Sequence, residues 1–160
     1  MSIGSVDMER QVLVTLSDYN GFPGKMRESV GRRMTKRWNN GESIRPSECA
    51  ACGQTEGAIH GHNEDYSTED VYLPLCITCH LVLHMRFHTG ELWELYKKAV
   101  RYGFRGEPLD QRNALYAIKQ RYDVRHPESF PGEYVNDERT ATVLDMICPI
   151  KIVHPNAPVA

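Results

Sequence analysis

The chain has 160 residues, 41% of them hydrophobic and 25% charged, with a net charge of −2. That is enough for one domain with a packed core, and too balanced in charge to mark a polyanionic partner by composition alone. No apolar run approaches the length of a membrane span and the N-terminus lacks a signal-peptide core, so the expected location is cytoplasmic, with no membrane partner. Five cysteines, four in close Cys-x-x-Cys pairs and Cys148 alone, suit zinc in a reducing compartment better than a disulfide framework.

Three regions follow in chain order: 1–44, 45–105 and 106–160. In the first, Val12–Leu16 reads as a short strand or a helix end, and Asn20-Gly21-Phe22-Pro23-Gly24 reads as a turn. Met26, Val30, Met34 and Trp38 then recur every fourth residue, which predicts a helix with one apolar stripe. Lys25, Arg32, Arg33, Lys36 and Arg37 fill an adjoining sector of that helix, and Asn39-Asn40-Gly41 stops it. Such a basic face would contact phosphates without reading sequence, and Arg45, Arg86, Arg101 and Arg105 would widen it. A solvated face that keeps the protein soluble is the plainer reading of the same charges.

In the middle region, 54–75 is expected to be a hairpin or a long loop between two strands. A helix is predicted over 79–88, with His80, His84 and His88 on one face. Another follows, capped by Thr89, burying Leu92, Leu95, Tyr96, Ala99 and Val100 and stopping at Gly103. Trp38 and Trp93 fall at apolar-stripe positions and are expected in the core. In the last region a helix is predicted from Leu109 to Tyr122, then a Pro-punctuated tail in which Thr140–Ile147 reads as a strand and Cys148 as a small buried hydrophobe.

Cys49-Ala50-Ala51-Cys52-Gly53 and Cys76-Ile77-Thr78-Cys79 are spaced to hold one tetrahedral zinc through four thiolates. A closed four-sulfur shell leaves no position for water, so this zinc is expected to be structural. His80 and His84, at i and i+4, aim two imidazoles from one helix turn, and His62 in the preceding segment is the natural third donor. Three neutral imidazoles with open positions suit a catalytic divalent ion, able to stabilise a phosphoryl oxygen and a departing oxyanion. Isolated histidines are more often surface or core residues than ligands, so the spacing carries this reading.

The run Cys49-x-x-Cys52-Gly53, Ile59-x-Gly61-His62-x-Glu64-Asp65-Tyr66-Ser67, Leu75-Cys76-x-x-Cys79-His80-x-x-x-His84 resembles the zinc-bearing HNH endonucleases of phages and prophages. The resemblance covers about residues 45–90. It implies an α+β fold with a ββα-metal core, a hairpin packed on a helix and gripping one divalent ion (Mg²⁺, Mn²⁺, Ni²⁺ or Zn²⁺), braced by the four-cysteine zinc and flanked by helices. His62 takes the hairpin metal position, His80 and His84 the helix positions, and Cys49, Cys52, Cys76 and Cys79 the zinc knuckles. The family ordinarily places a general-base histidine directly after the hairpin ligand; here that residue is Asn63, whose amide cannot take a proton near neutral pH. His60, two residues before His62, is the alternative base; Glu64 or Asp65 would orient water or, more simply, support a ligand histidine. Two functions follow: a metal-dependent endonuclease acting on DNA in the host cytoplasm, or a phage binding protein that has kept the fold and lost turnover, for example one that blocks a host defence complex.

Overall fold

The computed structural model describes residues 16–88, 90–111, 132–135, 138–148 and 151–159. The architecture among them is α+β: three helices, α1 (Gly24–Asn39), α2 (Ile77–Met85) and α3 (Gly90–Arg101), with two small antiparallel sheets, β1–β2 (Ile59–His62 and Leu73–Cys76) and β3–β4 (Phe104–Gly106 and Gly132–Tyr134). Among the described residues no helix is long and apolar enough to cross a membrane.

The turn before α1 forms as expected. Tyr19 and Phe22 exchange backbone hydrogen bonds, and Asn20 and Gly21 both take positive φ (52° and 81°), the conformation of an Asn-Gly hairpin turn. Pro23 has no side-chain cap to offer, and the Asp18 carboxylate accepts from Gly24 N at 3.0 Å instead. Lys36 and Arg37 in the last turn suit the helix dipole. The stripe faces inward at Val30 and Met34, while Met26 and Trp38 are half-buried; Arg45 stacks on the Trp38 ring, so that tryptophan lies at the rim. Gly61 explains how α1 reaches the hairpin, because a Cβ there would stand 2.8 Å from the Met34 methyl and 3.2 Å from Trp38.

β1 and β2 pair with His62 opposite Leu73 and Ile59 opposite Cys76. Cys76 ends β2 and is also the N-cap of α2, so strand and helix join without a loop and α2 begins two residues earlier than expected. It ends at Met85, which leaves His88 exposed and beyond the helix. α3 packs on α2 through Leu92, Tyr96, Ala99 and Val100, with Trp93 wholly buried and Leu95 half-buried, in a core shared with Val82, Leu83, Leu75 and Phe104. A satellite cluster of Tyr19, Phe22, Val30 and Tyr66 ties the turn and α1 to the segment after β1.

Two expectations for the tail are overturned. Residues 143–146 form a 3₁₀ turn rather than a strand, because Thr142 and Asp145 make a reciprocal capping box that fixes a helical start and drives Leu144 into the core. Cys148 is exposed; Arg86 Nε donates to its carbonyl, so its backbone rather than its thiol is held inward. Val12–Thr15 of the expected Val12–Leu16 segment, Thr89 and the greater part of the expected 109–122 helix lie outside the described residues.

Candidate metal centres and the surrounding site

The first Cys pair sits in a tight turn in which Gly53 takes φ +74° and its N–H donates to the Cys49 carbonyl at 2.9 Å. Ala50 N donates to Pro74 O at 2.8 Å, which docks this turn on the end of β2. The sulfurs of Cys49, Cys52, Cys76 and Cys79 all lie within 4.8 Å of one another and all four residues are buried. Cys52 and Cys76 Sγ stand 3.7 Å apart, against about 3.8 Å for two sulfurs on a tetrahedral zinc. The site could hold such a metal. Without a cation, hydrogen bonds from the other three thiols pull the Cys49 thiol down and, in return, push those of Cys76 and Cys79 up. The buried Tyr96 hydroxyl lies 3.1 Å from Cys79 Sγ, and burial holds its phenol protonated, so it donates to the sulfur once that is a thiolate.

Immediately beside it, His62 at the end of β1 meets His80 and His84 on α2. One ring nitrogen from each lies within 4.8 Å of the others. His80 Nε2 and His84 Nε2 are 3.1 Å apart, against about 3.3 Å for two nitrogens on one tetrahedral zinc. His62 Nδ1 is buried with no hydrogen-bond partner, as is His60 Nε2, while His62 Nε2 lies 2.6 Å from Glu64 Oε1. A buried imidazole nitrogen without a partner is costly in a closed protein, and ligation is one way to satisfy it. These three side chains could hold a metal. Burial lowers the pKa of all three, that of His84 to about 3, so they are neutral, as ligation requires. The His62–Glu64 contact is therefore a hydrogen bond from a neutral ring rather than an ion pair.

Glu64 organises the back of the cluster. Besides His62 it accepts from Tyr19 Oη (2.6 Å), Asn20 Nδ2 (2.6 Å) and Arg86 Nη2 (3.3 Å). Burial alone would raise its pKa; the bonds from His62 and Tyr19 and the Arg86 charge outweigh that and hold it at about 2. In turn, burial and then the Glu64 carboxylate push the Tyr19 phenol up. Glu64 thus has the supporting place foreseen for it. Asp65 faces elsewhere, accepting from Ser67 N and Asn156 Nδ2.

His60 Nδ1 lies 3.0 Å from His80 Nδ1, on the opposite edge of that ring from His84. It is absent from the group of three ring nitrogens, yet it lines the same cavity as His80 and His84. Asn63 is buried beside the cluster, and its Nδ2 donates to Val71 O at 3.0 Å, tying down the loop between the strands. Its amide is a strut as well as a non-base.

On α1, Lys25, Arg32 and Lys36 are exposed, Arg32 only 4.0 Å from Glu28. Arg33 pairs with Glu69 and Arg37 with Asp70, both on the loop after β1, so those two fasten α1 to the hairpin. Of the arginines expected to widen the basic face, Arg86 points inward to Glu64, Arg101 pairs with Asp145, and Arg105 donates to the Cys52 carbonyl. Sequence reasoning missed Tyr19, Asn20 and Arg27. Arg27 is buried between the Tyr19 and Tyr66 rings, 5.2 Å from each centroid. Its position on the helix wheel, next to the apolar stripe, was the only signal. Comparison with protein families, with curated proteins and with solved structures finds no match to the chain.

Proposed function

We propose that the chain is a metal-dependent endonuclease of the HNH type, hydrolysing phosphodiester bonds in DNA, with β1, β2 and α2 as its ββα-metal core and the four-cysteine site as a structural zinc brace. The observation that carries this reading is the convergence of one ring nitrogen each from His62, His80 and His84, within 4.8 Å of one another, at the junction of a hairpin and a helix. The order of cysteine pairs, hairpin histidine and helical histidine pair, which resembles phage HNH nucleases, supports it.

A divalent ion held by His62, His80 and His84 would supply charge stabilisation for the phosphoryl oxygens and the leaving oxygen. Glu64 fixes the His62 ring through Nε2, and His60 holds His80 through Nδ1 so that its Nε2 is turned to His84. Arg27 sets a positive charge at the wall of a cavity that His80 and His84 also line. Asn63 cannot accept the proton of an attacking water, and Glu64, saturated by its donors, is too weak a base to replace it. General-base help is worth about 100- to 10,000-fold, so slow turnover is expected.

The second reading, a binding protein that has kept the fold without turnover, for example one directed at a host defence complex, is favoured by one observation: the Asn63 amide is committed to Val71. Plasmid nicking with Mg²⁺, Mn²⁺, Ni²⁺ and Zn²⁺ separates the two. Metal-dependent nicking that disappears in His84→Ala supports the nuclease; no nicking with any ion leaves the binding protein.

A further inference from the structure

His80 and His84, with His60 beside them, line a cavity of about 560 Å³. One wall is α1 (Arg27, Gly31, Met34) and the other is α2 (Ile77, Leu81), so the walls are mostly apolar. The volume is in the range that encloses a small molecule, about 300–1,000 Å³. A second groove shares Leu16, Arg27 and Gly31 with it and continues over the outer side of α1 past Arg32 and Lys36. A continuous path therefore runs from a basic surface into an apolar slot that ends at the imidazoles.

A duplex keeps its bases stacked inside and offers only its backbone to such a slot. An unpaired strand offers both chemistries, phosphates for Arg32 and Lys36 and a base face for Met34, Ile77 and Leu81. We infer that the cavity receives one unpaired nucleotide, and that the substrate is single-stranded DNA rather than duplex. This rests on the nuclease reading for its chemistry but not for its binding.

Gly31 supplies the test. A Cβ placed there meets nothing within 4 Å, and the residue lines the cavity, so Gly31→Phe fills empty space. It also removes a helix-interior glycine, which favours folding. The probe is a fluorescein-labelled 12-nucleotide single strand, compared by anisotropy with the duplex of the same sequence, using zinc-loaded full-length protein without added divalent ion. The expected result is at least tenfold tighter binding of the single strand, and at least tenfold loss of that binding in Gly31→Phe with unchanged zinc content. Leu81→Trp, which obstructs from the opposite wall, should give the same loss. Equal affinity for strand and duplex overturns the inference. So do variants that bind the strand as the parent does, including a Gly31→Phe whose melting temperature falls while binding holds, which would assign the cavity to another part of the chain. If nothing is cleaved with any ion but both variants lose the strand, the nuclease reading fails and the cavity assignment stands. Plasmid cleavage untouched by Gly31→Phe gives the converse.

Discussion

Replacing Glu64 tests the support behind the histidine cluster, because its carboxylate serves four donors at once: His62, Tyr19, Asn20 and Arg86. Its pKa falls from 4.5 to about 2 on folding, which at 1.36 kcal/mol per unit is about 3 kcal/mol. Mutational values give a similar figure: a hydrogen bond to a charged group nets about 1.5–3 kcal/mol, and Arg86 retains the Leu83 and Cys148 carbonyls when Glu64 is lost. Because the folded-state pKa is lowered, the unfolded chain binds more protons between pH 2 and 4.5. The contribution is complete above pH 4.5 and is lost as pH falls through that window. Glu64→Ala should therefore cost about 3 kcal/mol by urea denaturation at pH 7, and that difference should shrink as both proteins are taken from pH 4.5 towards 2. Ni²⁺ titration of the zinc-loaded protein by calorimetry should give about 10- to 100-fold weaker binding at the histidine cluster, the usual effect of losing a carboxylate behind a ligand histidine. An alanine variant within about 0.5 kcal/mol of the parent, with unchanged Ni²⁺ affinity, would mean that packing rather than this bond orients His62.

Three further outcomes are expected. Cys76→Ser should give zinc-free, aggregated or unfolded protein, since binding energy of a structural zinc site is folding energy, on the order of 10 kcal/mol; elemental analysis of the folded parent showing no zinc would refute the brace. Charge reversal at Arg32 and Lys36 should lower the slope of log affinity against log salt by roughly one unit per lost phosphate contact, whereas reversal at Arg33 and Arg37 should mainly loosen α1 from the hairpin and lower the melting temperature. Asn63→His should raise DNA cleavage about 100-fold or more despite losing the Val71 bond, worth about 1 kcal/mol, while His84→Ala should abolish it; cleavage by Asn63→His no faster than by the parent would remove the missing-base argument.

The two candidate ligand groups were legible because ligand spacing is a local property. Cys49/Cys52, Cys76/Cys79 and His80/His84 each lie within one turn or knuckle, so geometry follows from chain separation. The α1 stripe and the inward face of α3 were legible for the same reason, as 3.6-residue periodicities. What surrounds these candidate ligands was not, because it comes from distant segments. Tyr19 and Asn20 reach Glu64 across 45 and 44 residues, and Arg86 does so across 22. Arg86 looked like surface charge because composition cannot distinguish a solvated guanidinium from one folded inward onto a carboxylate. The tail strand failed on a competing local signal: Thr142 and Asp145 carry the spacing of a capping box inside the stretch Thr140–Ile147 that read as a strand.

Cys76 closes β2, caps α2 and belongs to the sulfur cluster, and Cys79 is followed directly by His80. The two candidate centres therefore share one continuous piece of backbone, and a shift of α2 at one would displace the other. An oxidant or electrophile that captured a single thiolate would withdraw the first turn of α2 from its anchor and swing His80 and His84 away from His62. Zinc supply and thiol redox state would then govern the histidine site without any ligand touching it.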